Sequence, residues 1–168
     1  MKTVTWLPNL ILLSEYGSSW ENYLNALYIF YTEDFIDSKP IFCGQKLAVK
    51  KYPLFDEKEA TFWHIIQEGE KEEDRIPDLR RCERIRWPKP ITEHCTESGI
   101  KVWENERHTK RGKETSICIW FEQVEYLIIL RKRAGYNLFW TAYQVTKAHR
   151  KRKLEKEYQC YLKKQGAP

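Results

Sequence analysis

Several side chains in this sequence have the equipment for phosphoryl chemistry, and most come in clusters. Arg80, Arg81, Arg84 and Arg86 crowd one seven-residue stretch, Thr141 and Tyr143 stand two apart in "LFWTAY", and Arg150, Lys151, Arg152 and Lys153 follow His149 directly. His64 stands apart from these in "FWH". An imidazole titrates near neutrality, so it can take or give a proton at working pH. A guanidinium offers a planar fork of donors that matches phosphate oxygens in pairs. Thr and Tyr hydroxyls can donate to the same oxygens. Together these groups suit RNA cleavage without a metal or other cofactor. The 2′-hydroxyl of the RNA attacks its own phosphate, a base removes its proton, an acid protonates the departing 5′-oxygen, and cations stabilise the extra phosphoryl charge. Each residue alone also has a plain structural use: a helical His in packing, strand arginines as an exposed edge, Thr and Tyr as strand formers. Their conjunction carries the functional reading.

The charge is unevenly spread. The 168-residue chain has a formal net charge of +5 at pH 7, and residues 147–156, with six Lys or Arg and one Glu, equal that surplus alone. Residues 68–74, "EGEKEED", hold five acids and one Lys. Clustered positive charge points to a polyanion. Here it lies at the start of the last predicted helix, where the helix dipole repels cations. Either the run is a solvated surface that tolerates this cost, or an anion is held there by backbone amides and side chains together.

Other chemistries lack their motifs. The sequence has no GxxxxGK[ST] loop, no GxGxxG after a strand, no HExxH and no GxSxG. Its five cysteines (43, 82, 95, 118 and 160) form no CxxC pair and no zinc spacing. No metal site is expected. Apolar residues make up 42% of the chain, with seven Trp, ten Tyr and seven Phe, which suits a packed core rather than disorder. No apolar run approaches the roughly 20 residues of a membrane span, and "WLPNLILLSEYG" lacks the flanks of a signal peptide. The expected setting is the cytoplasm, with reduced thiols and no membrane partner.

The expected framework is α+β and a single domain, residues 1–168: N-terminal helices over about 1–70, a four- or five-stranded antiparallel sheet over about 80–145, and a basic C-terminal helix over about 147–164. "TVTWLPNLILLS" reads as β-like up to Leu13. "SSWENYLNALYIFYTEDFI" reads as a helix, with Ser18 and Glu21 at capping-box spacing and Trp20, Tyr23, Leu24, Leu27, Tyr28, Tyr31 and Phe35 in one stripe. Residues 39–53 predict a strand pair around Gly44. Residues 56–69 predict a second helix with acids in its first turn and His64 at the edge of its apolar face. "LRRCERIRW" predicts a strand, with Arg80, Cys82, Arg84 and Arg86 on one face and Arg81, Glu83, Ile85 and Trp87 on the other. "IKVWENE" predicts another strand and "RHTKRGKET" a basic loop. Residues 116–121, 126–131 and 136–145 predict a meander, with Thr141 and Tyr143 sharing a strand face with Phe139 and Val145. The closing helix is expected to pack through Leu154, Tyr158, Tyr161 and Leu162.

The pieces "FWH", "RRCERIRW", "LFWTAY" and "HRKRKLEKEY", in this order over residues 46–161, resemble the barnase–EndoU–colicin–RelE-like (BECR) ribonuclease superfamily, in particular its phage- and toxin-associated branches. The resemblance implies a four-stranded antiparallel sheet after a helical part, and an RNA site lined from both. On this sequence His64 matches the helical group, Arg81 or Arg84 the sheet cation, and Thr141 the late hydroxyl. It also implies a neutralising antitoxin protein, and some members cut transfer RNA. The first forty residues and the long basic helix have no counterpart in it.

These readings combine into an endoribonuclease. His64 and His149 would transfer protons, and Arg81 and Arg84 would hold the scissile phosphate with Thr141 and Tyr143. Arg80, Arg86, Arg150, Lys151, Arg152 and Lys153 would bind flanking RNA. The alternative is a non-catalytic RNA- or DNA-binding protein on the same scaffold, which would need neither histidine.

Overall fold

The computed structural model describes residues 4–166. The chain opens in irregular structure and a single 3-10 turn, Leu13–Tyr16. The strand expected in the opening stretch, whose first residue lies outside the described ones, is not formed. Instead Trp6, Leu7, Leu10 and Ile11 lie along the main core as a strap. Helix α1, Trp20–Tyr31, follows and runs on into a π-helical turn, Thr32–Asp37. Its cap is Ser19, whose hydroxyl accepts from the Asn22 N–H at 3.4 Å, one residue later than expected. Ser18 is unsuited to the role because the chain turns there with φ of 55°. The predicted stripe holds from Tyr23 onward, with Tyr23, Leu27 and Tyr31 fully buried, whereas Trp20 at its start is exposed.

A tight hairpin around Gly44 joins β1 (Ile41–Phe42) to β2 (Gln45–Ala48). Helix α2 spans Ala60–Ile66 and starts later than predicted. Asp56 and Glu57 adopt positive φ in a turn closed by a Phe55–Lys58 bridge, so they do not enter its first turn. Strands β3 (Gln67–Glu68) and β4 (Ile76–Pro77) form a short ladder that closes the acidic loop.

Residues 80–86 are not a strand. They lie in helix α3, Leu79–Glu83, and the turn leading to α4, Pro88–Glu93. Asp78 explains the switch: its carboxylate accepts from the Arg80 N–H at 2.9 Å, while its own N–H donates to the Ile66 carbonyl at 2.8 Å. A capped turn pinned to the end of α2 wins over a short alternating pattern that suits either structure. The arginines accordingly fan out around a helix rather than alternating across a sheet.

The remaining strands are β5 (Ile100–Thr109), β6 (Gly112–Phe121), β7 (Tyr126–Arg133) and β8 (Tyr136–Gln144), followed by α5 (Ala148–Lys164). The predicted basic loop is mostly strand: β5 and β6 pair from Ile100–Phe121 out to Thr109–Gly112, leaving Lys110 and Arg111 as the turn. The sheet has six strands in the order β1-β2-β8-β7-β6-β5. It is mixed rather than antiparallel, because β2 runs parallel to β8.

The α+β order of helix, sheet and closing helix holds. One sheet face packs on α1, α2 and the strap through Ile117, Ile119, Ile128, Leu130 and Phe139. The other carries α5, seated by Leu154 against Trp103, Trp120 and Leu127. With both faces covered, residues 116–121 are buried without alternation. A bulge at Trp140 breaks the β7–β8 register between Ile129–Thr141 and Leu130–Phe139. It separates Phe139 from its expected companions. Phe139 and Ala142 face the main core, while Thr141, opposite Ile129, shares the α5 face with Tyr143 and Val145.

Candidate nucleic-acid interface

Arg81 is the hub where α2, α3 and β8 meet. Its Nη1 donates to the His64 carbonyl at 3.3 Å and to the Thr141 hydroxyl at 3.4 Å, and that hydroxyl also donates to the His64 carbonyl. The guanidinium lies 5.0 Å above the Tyr143 ring. On its far edge the Tyr143 hydroxyl accepts from Arg150 Nη2 at 3.3 Å. The Arg81 side chain is 15% exposed, and burial pushes its pKa down; Asp78, 3.8 Å away, and Glu68 oppose that shift. Its one carboxylate contact, to Asp78, is long, so the guanidinium keeps donors available to an anion.

Beside this hub lies an open pocket of about 290 Å³, lined by Glu68, Asp78, Arg80, Arg81, Tyr143, Lys147, His149 and Arg150. Lys147 occupies the cap position of α5 and makes no side-chain cap hydrogen bond. The N–H groups of Ala148 and His149 open the helix without an intrahelical acceptor, while that of Arg150 already donates to the Lys147 carbonyl at 3.0 Å. Carboxylate, imidazole, phenol and guanidinium thus meet at one helix start.

The structure brings together Arg80, Arg81, Tyr143, His149 and Arg150, with Thr141 directly behind Arg81. It does not bring the others. Arg84 packs 5.0 Å over Trp87 and donates to the Arg80 carbonyl and to Glu83. Arg86 is consumed by Asp34, at 2.9 Å, and Glu33, at 3.2 Å. Both arginines left the expected face when the segment became helical. Lys151 pairs with Glu125. Arg152 is exposed and lines neither this pocket nor the groove beside it.

His64 shares only its carbonyl with the hub. Its imidazole opens on a separate cavity of about 460 Å³ beside Trp63, Phe55 and Arg75, with Nε2 3.6 Å from Glu72 and the ring 5.7 Å from Trp140. Burial, then Arg75, lower its pKa below the ordinary 6.5, against the pull of Glu72. A depressed imidazole contributes stability that is present above pH 6.5 and is lost as pH falls through its folded pKa. His64→Gln is therefore expected to flatten the drop in melting temperature between about pH 7 and about pH 5. Any RNA cleavage should persist in that variant, measured on the same preparation.

Glu68 and Asp78 belong to the pocket but were legible only as an acidic run and a post-proline residue. The signals were present: Glu68 lies four residues after His64, and Asp78 precedes Leu79 as a helix cap. A second feature had no sequence signal. On the α5 side of the sheet, a groove lined by Arg107, Arg131, Tyr143, Arg150, Lys153 and Glu157 adjoins the pocket. Among the described residues no group of three or more His, Cys, Asp or Glu is placed to hold a metal ion. No described helix is long and apolar enough to cross a membrane.

No protein-family model matches this chain, and neither a curated protein nor a solved structure matches it.

Proposed function

We propose that this chain is an endoribonuclease that cuts RNA by 2′-hydroxyl transesterification without a metal. The observation behind the reading is the pocket that gathers Glu68, Arg81, Tyr143, His149 and Arg150 at the start of α5. In this scheme the Glu68 carboxylate takes the 2′-hydroxyl proton and the freed oxygen attacks the adjacent phosphorus. The bond to the 5′-oxygen breaks as the His149 imidazolium protonates it, leaving a 2′,3′-cyclic phosphate and a free 5′-hydroxyl. Arg81 and Arg150 stabilise the phosphoryl oxygens, and Tyr143, held between them, orients both. The opening amides of α5 face the same anion, which gives Lys147 and Arg150 at the helix start a purpose. His149 replaces His64 as the sole histidine in the chemistry. The reading keeps the resemblance to BECR ribonucleases, and with it an antitoxin-like inhibitor or a restricted target such as transfer RNA.

The test is incubation with total RNA in EDTA, followed by analysis of the new ends. Cyclic phosphate termini support the reading. Glu68→Gln and His149→Gln should each lower the cleavage rate sharply while leaving the fold intact. One observation favours the alternative of a non-catalytic RNA- or DNA-binding protein: the His64 imidazole lies outside the pocket. Intact RNA retained with steep salt dependence identifies that case.

A further inference from the structure

The far end of the sheet from this pocket carries a second cationic surface. The β5–β6 turn, the end of β7 and the residue two beyond β2 converge on a cavity of about 670 Å³ lined by Lys50, Lys110, Arg111, Lys113, Arg133 and Trp140, among others. The one acid in its wall, Glu114, is already engaged by Arg131 at 3.2 Å and Arg133 at 3.3 Å. Lys113 pairs with Glu106 at 2.7 Å. Lys50, Lys110 and Arg111 are exposed and have no carboxylate partner among the described residues. Three exposed cations without a carboxylate partner, converging from two parts of the chain, make a positive patch suited to a visiting anion.

This surface is joined to the pocket at the start of α5 by a chain of contacts. Arg150 touches Tyr143; both line the groove that holds Arg131; the Arg131 guanidinium lies 4.9 Å over Trp140; and Trp140 lines the far cavity. Arg131 is held in place by Ser116 at 2.8 Å and by Glu114, and it is largely buried. From Leu138 to Tyr143 the extended chain covers about 15 Å, a reach of several phosphates along a single strand. A line of guanidinium and aromatic groups leading away from a phosphate pocket matches a polynucleotide, whose charges repeat, better than a mononucleotide.

We propose that the β5–β6 turn with Lys50 and Arg133 is a second RNA-backbone site, which holds the same single strand whose scissile phosphate lies at Arg81. Its contacts are to phosphates, so it extends the footprint without reading sequence. The identity of the strand as substrate rests on the ribonuclease reading; the binding surface does not.

The test separates the two. Lys50→Ala, Lys110→Ala and Arg111→Ala are combined in one variant, all at exposed positions whose loss leaves the core intact. Binding of a fluorescent oligouridylate of about 16 nucleotides is measured across a salt series, in wild type and variant, each carrying Arg81→Ala so that cleavage is negligible during the measurement. Loss of three phosphate contacts reduces the slope of log affinity against log salt by about 2, and affinity at 0.1 M salt by up to about 100-fold. Cleavage of a UpA dinucleotide by the variant with Arg81 intact should equal that of wild type, since a dinucleotide cannot span the two sites. An unchanged slope and affinity overturn the proposal, as does an absence of salt-sensitive RNA binding in both proteins. Absence of total-RNA cleavage by wild type, with the slope still reduced, overturns the ribonuclease reading and leaves this site standing.

Discussion

Arg81→Ala is expected to lower kcat on RNA by about 10²–10³-fold, the usual loss when one preorganised donor is removed from a developing phosphoryl charge. The geometry makes Arg81 the least replaceable group in the pocket. Its Nη1 is committed to the His64 carbonyl and Thr141, which fixes the plane of the fork, while the Tyr143 ring supports one face. Lys at this position keeps a charge but cannot hold the His64 carbonyl and the Thr141 hydroxyl and reach a phosphate together, so Arg81→Lys should recover little. Because these hydrogen bonds also tie α2 to β8, the alanine variant should lose about 1–3 kcal/mol of stability. Thermal melts on the same preparation separate that loss from the catalytic one, provided activity is measured well below the transition. Cleavage by Arg81→Ala within threefold of wild type, with the protein folded, would remove Arg81 from the chemistry.

Arg86→Ala has its largest effect elsewhere. Asp34 is buried within the π-helical turn, and Arg86 meets both its oxygens, at 2.9 Å through Nη2 and 3.4 Å through Nε. Removing one partner of such a pair leaves an uncompensated buried charge. Arg86 retains some solvent access, so the low end of the usual range applies, about 3 kcal/mol, or roughly 6–12 °C in melting temperature. The pH dependence has a definite sign. Burial raises the Asp34 pKa and Arg86 pulls it down. Without Arg86 the carboxyl holds its proton to higher pH, so the variant's deficit is smallest where Asp34 is protonated and grows as pH rises through its folded pKa. Denaturant melts from about pH 4 to about pH 7 read this directly. RNA cleavage per folded molecule should not change. A variant of normal stability with lost RNA affinity would place Arg86 in the interface after all.

Parts of this molecule are legible residue by residue. The stripe of α1, the hairpin at Gly44, the meander and the closing helix follow from periodicity and turn chemistry over windows long enough to decide. The stretch "RRCERIR" does not, because seven residues of mixed Arg and apolar character suit a strand or a helical turn equally, and the cap at Asp78 works only once α2 lies beside it. For the same reason Arg84 and Arg86 were expected at the RNA and are found in structural contacts. Thr141 and Tyr143 kept their place near the site, but Phe139 did not stay on their face, since one unpaired residue at Trp140 reverses the alternation.

By itself, the sequence determined which chemistries the chain can host and where its positive charge is concentrated, because side-chain identity and local period depend on neighbours only a few positions away. Tertiary structure alone decided which groups face one another. That the Arg81 guanidinium meets Tyr143 while the His64 imidazole opens on another cavity depends on helix rotation, a bulge and a parallel β2–β8 pairing. Each is set by packing between segments far apart in the chain, and a shift of one residue turns a strand side chain to the opposite face and swings a helical one by about 100°.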